Sequence, residues 1–179
     1  ELFKTSSVSF SEIFLENLNV SVLEEEAIGV DFVKKEIFLK YGEKKQYDFL
    51  VLGVGSEINY FGIPGLKEKS MPLKDLSDAL NIRNALDELF LNSPKNKLLK
   101  IVIGGGGFTG CEFAGELVGY IKTLSKIHGR PKHYTELFIV DLSPTILPST
   151  SQWIQKLAKE RLESLGIKII LNTGVDKIT

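Results

Sequence analysis

Across 179 residues, 22 Lys and Arg stand against 23 Asp and Glu, and a net charge of −1 gives no electrostatic footprint for nucleic acid or an anionic membrane surface. A hydrophobic content of 43% suits one good-sized globular domain or two small ones, and a lone cysteine, Cys111, excludes a disulfide framework or a C-x-x-C redox pair. No apolar run approaches the roughly 18 to 20 residues that span a bilayer and no signal peptide is visible, so the expectation is a soluble, cytoplasmic segment, without a transmembrane helix. Because it opens at Glu1 rather than at a methionine, it reads as a piece of a longer protein.

The first predicted element is a short helix over residues 9–17, followed by a strand over 20–23. Val30, Phe32, Ile37, Phe38 and Leu39 predict short strands, with Tyr41, Gly42 and Glu43 turning into the next and Glu43-Lys44-Lys45 as a solvated tip. Residues 47–54 (YDFLVLGV) form a near-continuous apolar run, the pattern of a strand buried on both faces of a parallel or mixed sheet. It ends in Gly53-Val54-Gly55-Ser56. The turn-rich stretch 59–65 (NYFGIPG) is the predicted domain boundary. Beyond it Asp75 can cap a helix carrying Leu76, Ala79, Leu80, Leu86 and Leu89 on one face, ended by Ser93-Pro94. Arg83, Asp87 and Glu88 fall on its solvated side.

Residues 100–116 (KIVIGGGGFTGCEFAGE) then give a β-branched strand, a glycine loop and an amphipathic helix. Gly105, Gly107 and Gly110 are in G-x-G-x-x-G register, the order a dinucleotide pyrophosphate needs. Gly105 permits the tight turn, Gly107 lets backbone approach the phosphates, and Gly110 lets the helix pack closely on the sheet. Gly106, Phe108 and Thr109 complete the loop. The phosphates face free N–H groups and the positive end of the helix dipole. Phe113, Ala114, Leu117, Val118, Ile121 and Leu124 recur at helical spacing, and the helix runs to about Ile127, stopped by Gly129 and Pro131. The bland alternative is a glycine turn that binds nothing.

Leu137, Phe138, Ile139 and Val140 predict the next strand, and Asp141 at its end is placed to accept hydrogen bonds from the adenosine ribose. It lies 31 residues beyond Gly110, where about 20 is usual; a long helix and loop absorb the excess. A carboxylate there repels a 2′-phosphate, which favours NADH over NADPH. A merely solvated Asp is the alternative. A third helix over 151–164, with Trp153, Ile154, Leu157, Ala158 and Leu162 as its buried stripe, ends at Gly166 before a strand over 167–171. Strand, helix, strand, helix, strand is one half of a doubly wound α/β sheet, and right-handed crossovers bring the loop glycines and Asp141 to one carboxyl edge. Cys111 reads as a small packed residue. His128 and His133 lack a partner cluster, so no metal site is expected.

The segments YDFLVLGVGSEINYFGIPG, MPLKDLSDALNIRNAL, IVIGGGGFTGCEFAGEL, IVDLSPTILP and LGIKIILNTGVDKI resemble, in order and spacing, the middle of the FAD-dependent pyridine nucleotide oxidoreductases. They are most similar to the type II NADH dehydrogenases, which pass electrons from NADH through FAD to a quinone. The resemblance implies a Rossmann-like NADH-binding domain over residues 65–179 and part of a second, FAD-binding domain over 1–64. It implies FAD contacts at Gly53, Val54 and Gly55, with Gly53 in place of the usual alanine. Glu112 takes the place of the acidic residue near the nicotinamide, a positioning role in catalysis, or else is a carboxylate in the first helical turn. It also implies a homo-oligomer whose remaining segments, absent here, bind FAD and dock at the inner face of a membrane, so that this piece alone is inactive. A sulfide:quinone or disulfide reductase relative, a non-catalytic nucleotide-binding module and a glycine-loop methyltransferase are the competing readings.

Overall fold

A computed structural model describes residues 8–14 and 19–179, and the chain divides into two compact units, Glu1–Ser56 and Glu57–Thr179. In the first unit, α1 (Phe10–Ile13) is opened by a reciprocal cap: Glu12 N–H donates to Ser9 Oγ and Ser9 N–H to Glu12 Oε2, each at 3.1 Å. The predicted helix continued to residue 17, and residues 15–18 lie outside the described ones. An antiparallel meander follows, β1 (Ala27–Asp31), β2 (Glu36–Leu39) and β3 (Lys44–Gln46), with its register shifting between Ala27 and Gly29. Asp31 Oδ1 accepts from the N–H groups of Val33 and Lys34, fixing the first turn, and Gly42 at φ 92 makes the second. The first of these bonds to count, that from Lys34, holds the Asp31 carboxyl below its ordinary range.

Two predicted strands of this unit do not form. Residues 20–23 are irregular, and so are residues 47–54, where Phe49 is 94% and Val51 90% exposed. An interior strand needs a neighbour for its backbone N–H and C=O groups. Tyr47 N–H donates to Lys35 O at 3.1 Å, but past it no strand pairs with either run among the described residues, so apolar sequence alone leaves them irregular.

The second unit is built on a parallel sheet of β4 (Leu99–Gly104), β5 (Thr135–Val140) and β6 (Lys168–Ile170), in that spatial order. Ile103 stands opposite Ile139 and Gly104 opposite Val140, so β4 and β5 end level at their carboxyl edge. Helix α4 (Phe108–Ile127) packs on β4 and β5, α5 (Gln152–Ser164) on β6 and α4, and α3 (Leu76–Asn92) on α4. Leu99, Leu137 and Ile139 meet Ala114, Leu117 and Leu124 in one core. A four-residue α2 (Leu66–Lys69) follows the connector, where Ile178 N–H donates to Pro64 O at 2.9 Å. Gly65 sits beneath this bond at φ 76; a Cβ there would stand 2.2 Å from Ile178 O.

Asp75 caps α3 as expected, in a reciprocal box with Asp78. The buried face, however, is Ile82, Leu86 and Phe90; of the predicted stripe only Leu86 is buried, while Leu76, Ala79 and Leu89 face solvent. The register is set by α4, against which α3 leans. Tyr120 Oη donates to Asp87 Oδ2 at 3.1 Å, which turns Asp87 and the half-buried Arg83 inward from the face assigned to them. Helix α5 departs in the same way: Leu162 is buried, but Trp153 is 71% exposed and Leu157 and Ile154 are also open. Its support, β6, is a three-residue strand at the sheet's edge, too narrow to cover the stripe. Arg130, buried beside the Phe90 ring, donates to Ser93 O and Lys97 O, both at 2.8 Å, and so ties the loop after α4 to the turn between α3 and β4.

Candidate functional site at the carboxyl edge of the parallel sheet

Each glycine of the loop is held differently. Gly105 turns out of β4 at φ 108, where residues with a side chain are strained, and its N–H donates to Val140 O at 2.9 Å. Gly106 is buried; a Cβ would lie 3.0 Å from Ile146 Cγ2 and 3.4 Å from Asp141 Oδ2. Gly107 is the N-cap of α4, and a Cβ built on it meets nothing within 4 Å. A Cβ on Gly110 would lie 2.0 Å from Gly105 O, so the helix starts in direct backbone contact with the turn. These are three separate demands: a left-handed turn, an open approach and a tight seat. They fall on the three predicted positions in the predicted order.

No side chain caps α4, whose first internal bond is Cys111 N–H to Gly107 O at 3.0 Å. The N–H groups before Cys111, on Phe108, Thr109 and Gly110, therefore have no partner within the helix. They open beside Gly107, at the positive end of the dipole of a 20-residue helix. Phe108 and Thr109 are exposed there. An anion with several oxygens can be received at this point by backbone alone.

Asp141 stands across the neighbouring strand end, and its carboxylate faces the loop. Oδ2 accepts from Gly106 N–H at 2.5 Å and Oδ1 from Ser143 N–H at 2.6 Å. Each oxygen keeps a further lone pair for a hydroxyl donor, and the side chain is half-buried, still open on one side. The 31-residue offset is taken up by the part of α4 after Gly110, the loop 128–131, the 3₁₀ turn Lys132–Tyr134 and the strand β5 that ends before Asp141.

Glu112 is exposed, and no hydrogen bond or ion pair engages it among the described residues. It is the fifth residue of α4 and lies beyond the first turn, which holds no acidic residue; dipole stabilisation is correspondingly weak, since it fades within that turn. Cys111 is buried, with Sγ 3.4 Å from Gly106 O, and burial first, then the Asp141 and Glu112 carboxylates, push its thiol pKa up. That is the environment of an inert packed thiol, not of a redox nucleophile. Gly53, Val54 and Gly55 lie on the irregular run of the first unit; Gly55 adopts φ 73, and a Cβ on Gly53 or Gly55 meets nothing within 4 Å.

Among the described residues no group of His, Cys, Asp and Glu could hold a metal. His128 Nε2 lies 3.5 Å from Asp87 Oδ1, and the His133 ring meets Tyr134 at a tilt of 42°. A surface hollow of about 500 Å³, lined in part by Lys122, Lys126 and Arg130, lies near the other end of α4 and holds none of the site residues.

A second support of the loop comes from the segment IVDLSPTILP, one of those that carry the resemblance. Leu147 N–H donates to Gly106 O at 2.7 Å, from a left-handed backbone at φ 49 that costs a non-glycine residue on the order of 1 kcal/mol. Its neighbour Ile146 is 1% exposed against Gly106. An apolar pair inside the turn-rich stretch SPTILPST is the sequence signal that could have marked them.

The sequence profile of the pyridine nucleotide-disulphide oxidoreductases matches residues 5–179. The chain is 30% identical over 182 residues to the external alternative NAD(P)H-ubiquinone oxidoreductase B3, mitochondrial, of Arabidopsis thaliana, covering 91% of this chain and 31% of that protein. It is 29% identical over 161 residues to the type II NADH:quinone oxidoreductase of Staphylococcus haemolyticus, covering 87% and 40%. Among solved structures, NDH2 from Plasmodium falciparum in complex with NADH superposes with a TM-score of 0.71 at 27% identity, over 88% of this chain and 35% of that one. The chain thus spans roughly a third of the length of the relatives it matches.

Proposed function

Because the chain belongs to the pyridine nucleotide-disulphide oxidoreductase family, we propose that its parent protein is an FAD-dependent NADH dehydrogenase delivering electrons to a quinone, and that the unit Glu57–Thr179 holds the NADH site. The observation that carries this reading is the opening at Gly107: uncapped helix N–H groups and a loop-facing carboxylate converge beside a backbone with nothing above it. NAD(P)H- and NADH-oxidising relatives support the same assignment.

In this reading the backbone from Gly105 to Gly110 receives the pyrophosphate, with Phe108 and Thr109 contributing N–H groups from the first turn. Asp141 accepts from the ribose hydroxyls through the lone pairs its two backbone donors leave free, and its charge disfavours a 2′-phosphate. Glu112 orients the nicotinamide carboxamide, a positioning role. The nicotinamide supplies the hydride chemistry and the protein supplies alignment. Gly53, Val54 and Gly55 would offer open backbone to FAD, which supplies the electron-accepting chemistry when bound. Among the described residues no helix is long and apolar enough to cross a membrane; the quinone side, with its membrane contact, belongs to the parent protein.

Calorimetric titration of the chain with NADH and NADPH tests the site. Binding of NADH with clear preference over NADPH is expected. Equal affinity for the two removes the role of Asp141, and no binding of either at millimolar concentration removes the reading itself.

A further inference from the structure

The glycine turn is held open from outside its own motif. Gly106 O is tied to Leu147 N–H, and Leu147 sits in a left-handed conformation that loop sequence alone does not favour. Something must hold residues 145–150 in place, and the bonds converge on one side chain of α5. Gln155 Nε2 donates to Thr150 O at 2.9 Å and reaches Leu147 O at 3.4 Å, while its Oε1 accepts from the Thr145 hydroxyl at 3.2 Å. The amide orientation is fixed by chemistry, because two carbonyls that can only accept require the nitrogen on their side. Thr150 Oγ1 closes the same loop onto Leu147 O at 2.8 Å.

We propose that Gln155 is a positioning residue for NADH: by clamping loop 145–150 from helix α5 it fixes the Leu147 N–H that aims the Gly106 carbonyl, and so sets the opening at Gly107. This rests on the NADH reading above. Strain in a side-chain-bearing residue persists only where its surroundings over-determine it, and such residues collect at ligand sites. Leu147 O accepts from Thr150 N–H at 3.0 Å and Thr150 Oγ1 at 2.8 Å, and Gln155, bonded to Thr150 O and to Leu147 O, ties that turn to helix α5. Gln155 bonds on both flanks of the strained residue, at Thr145 and Thr150, and it is half-buried, 45 residues beyond Gly110 in sequence. Asp141 accepts from Gly106 N–H while Leu147 donates to Gly106 O, so both faces of one glycine peptide unit are set by the second strand-to-helix loop. Releasing the clamp disturbs the ribose contact as well as the phosphate contact.

The test compares the chain with Gln155→Leu, Gln155→Glu and Leu162→Ala, reading NADH affinity by calorimetry, melting temperature, and amide exchange at Leu147. Gln155→Glu keeps the acceptor for Thr145 and loses the donors. Leu162→Ala, in the same helix, removes buried side chain away from the loop. Both Gln155 variants are expected to weaken NADH by about tenfold with faster exchange at Leu147, whereas Leu162→Ala lowers the melting temperature and leaves affinity unchanged. Unchanged affinity in Gln155→Glu, or equal weakening by Leu162→Ala, overturns the proposal. Failure of the unaltered chain to bind NADH overturns the functional reading instead.

Discussion

Residues 47–54 and β4 (Leu99–Gly104) are apolar runs of the same kind, and both lead into glycines, yet only one is a strand. Between them the difference is partnership. β4 pairs along its length with β5, its final glycine opposite Val140, and its Ile101 and Ile103 join the core. Past Tyr47 the other run has no paired strand among the described residues, and Phe49 and Val51 stand almost fully exposed. The same contrast extends to the glycines. A side chain on Gly110 collides with backbone, whereas one on Gly53 meets nothing. Apolar character makes a run able to be a strand; hydrogen-bonding neighbours make it one.

The comparison is broken most forcefully at Gly110. Gly110→Ala places a methyl 2.0 Å from Gly105 O and is expected to cost about 3 kcal/mol in urea unfolding; a variant with unaltered stability means the helix is not seated on the turn. Gly107→Val separates ligand from scaffold. With open space around its Cβ, its stability should stay within about 1 kcal/mol of the parent, while NADH titration shows binding lost. Equal loss of both would make Gly107 a packing residue.

Asp141→Asn comes next. It keeps the shape but gives two backbone donors a group that accepts at one atom only, so a cost of about 1–2 kcal/mol is expected. The preference for NADH over NADPH should narrow as the charge is removed, a change visible in the ratio of the two dissociation constants. The smallest effect belongs to the other run: Val51→Thr, at a 90% exposed position, should alter stability by no more than about 0.5 kcal/mol. A loss of more than 1 kcal/mol there would show that residues 47–54 are packed after all.

The parts of this molecule that were legible in its sequence are those governed by neighbours along the chain. Gly105, Gly107 and Gly110 announce their demands by spacing, Asp75 and Ser151 cap the helices they precede, and Gly129 at φ 59 follows the end of α4. Helix faces were less legible, because the residues that bury Ile82 and Phe90 rather than Leu76 and Leu89 belong to α4, and the edge position of β6 uncovers Trp153. Least visible were Arg130, Leu147 and Gln155. Their partners are backbone carbonyls and amides 30 or more residues away for Arg130 and Leu147, and every residue owns such groups, so no residue type marks the acceptor.

Ile178 N–H meets Pro64 O across Gly65, so the connector that enters the second unit and the segment that follows β6 run side by side at one seam. One backbone hydrogen bond thereby closes a long loop of chain, and undoing it would free the stretch after β6 without stretching the sheet. The glycine at that seam is what lets the two segments touch: any larger residue would pry them apart and leave the late stretch hanging from the sheet by its own threads.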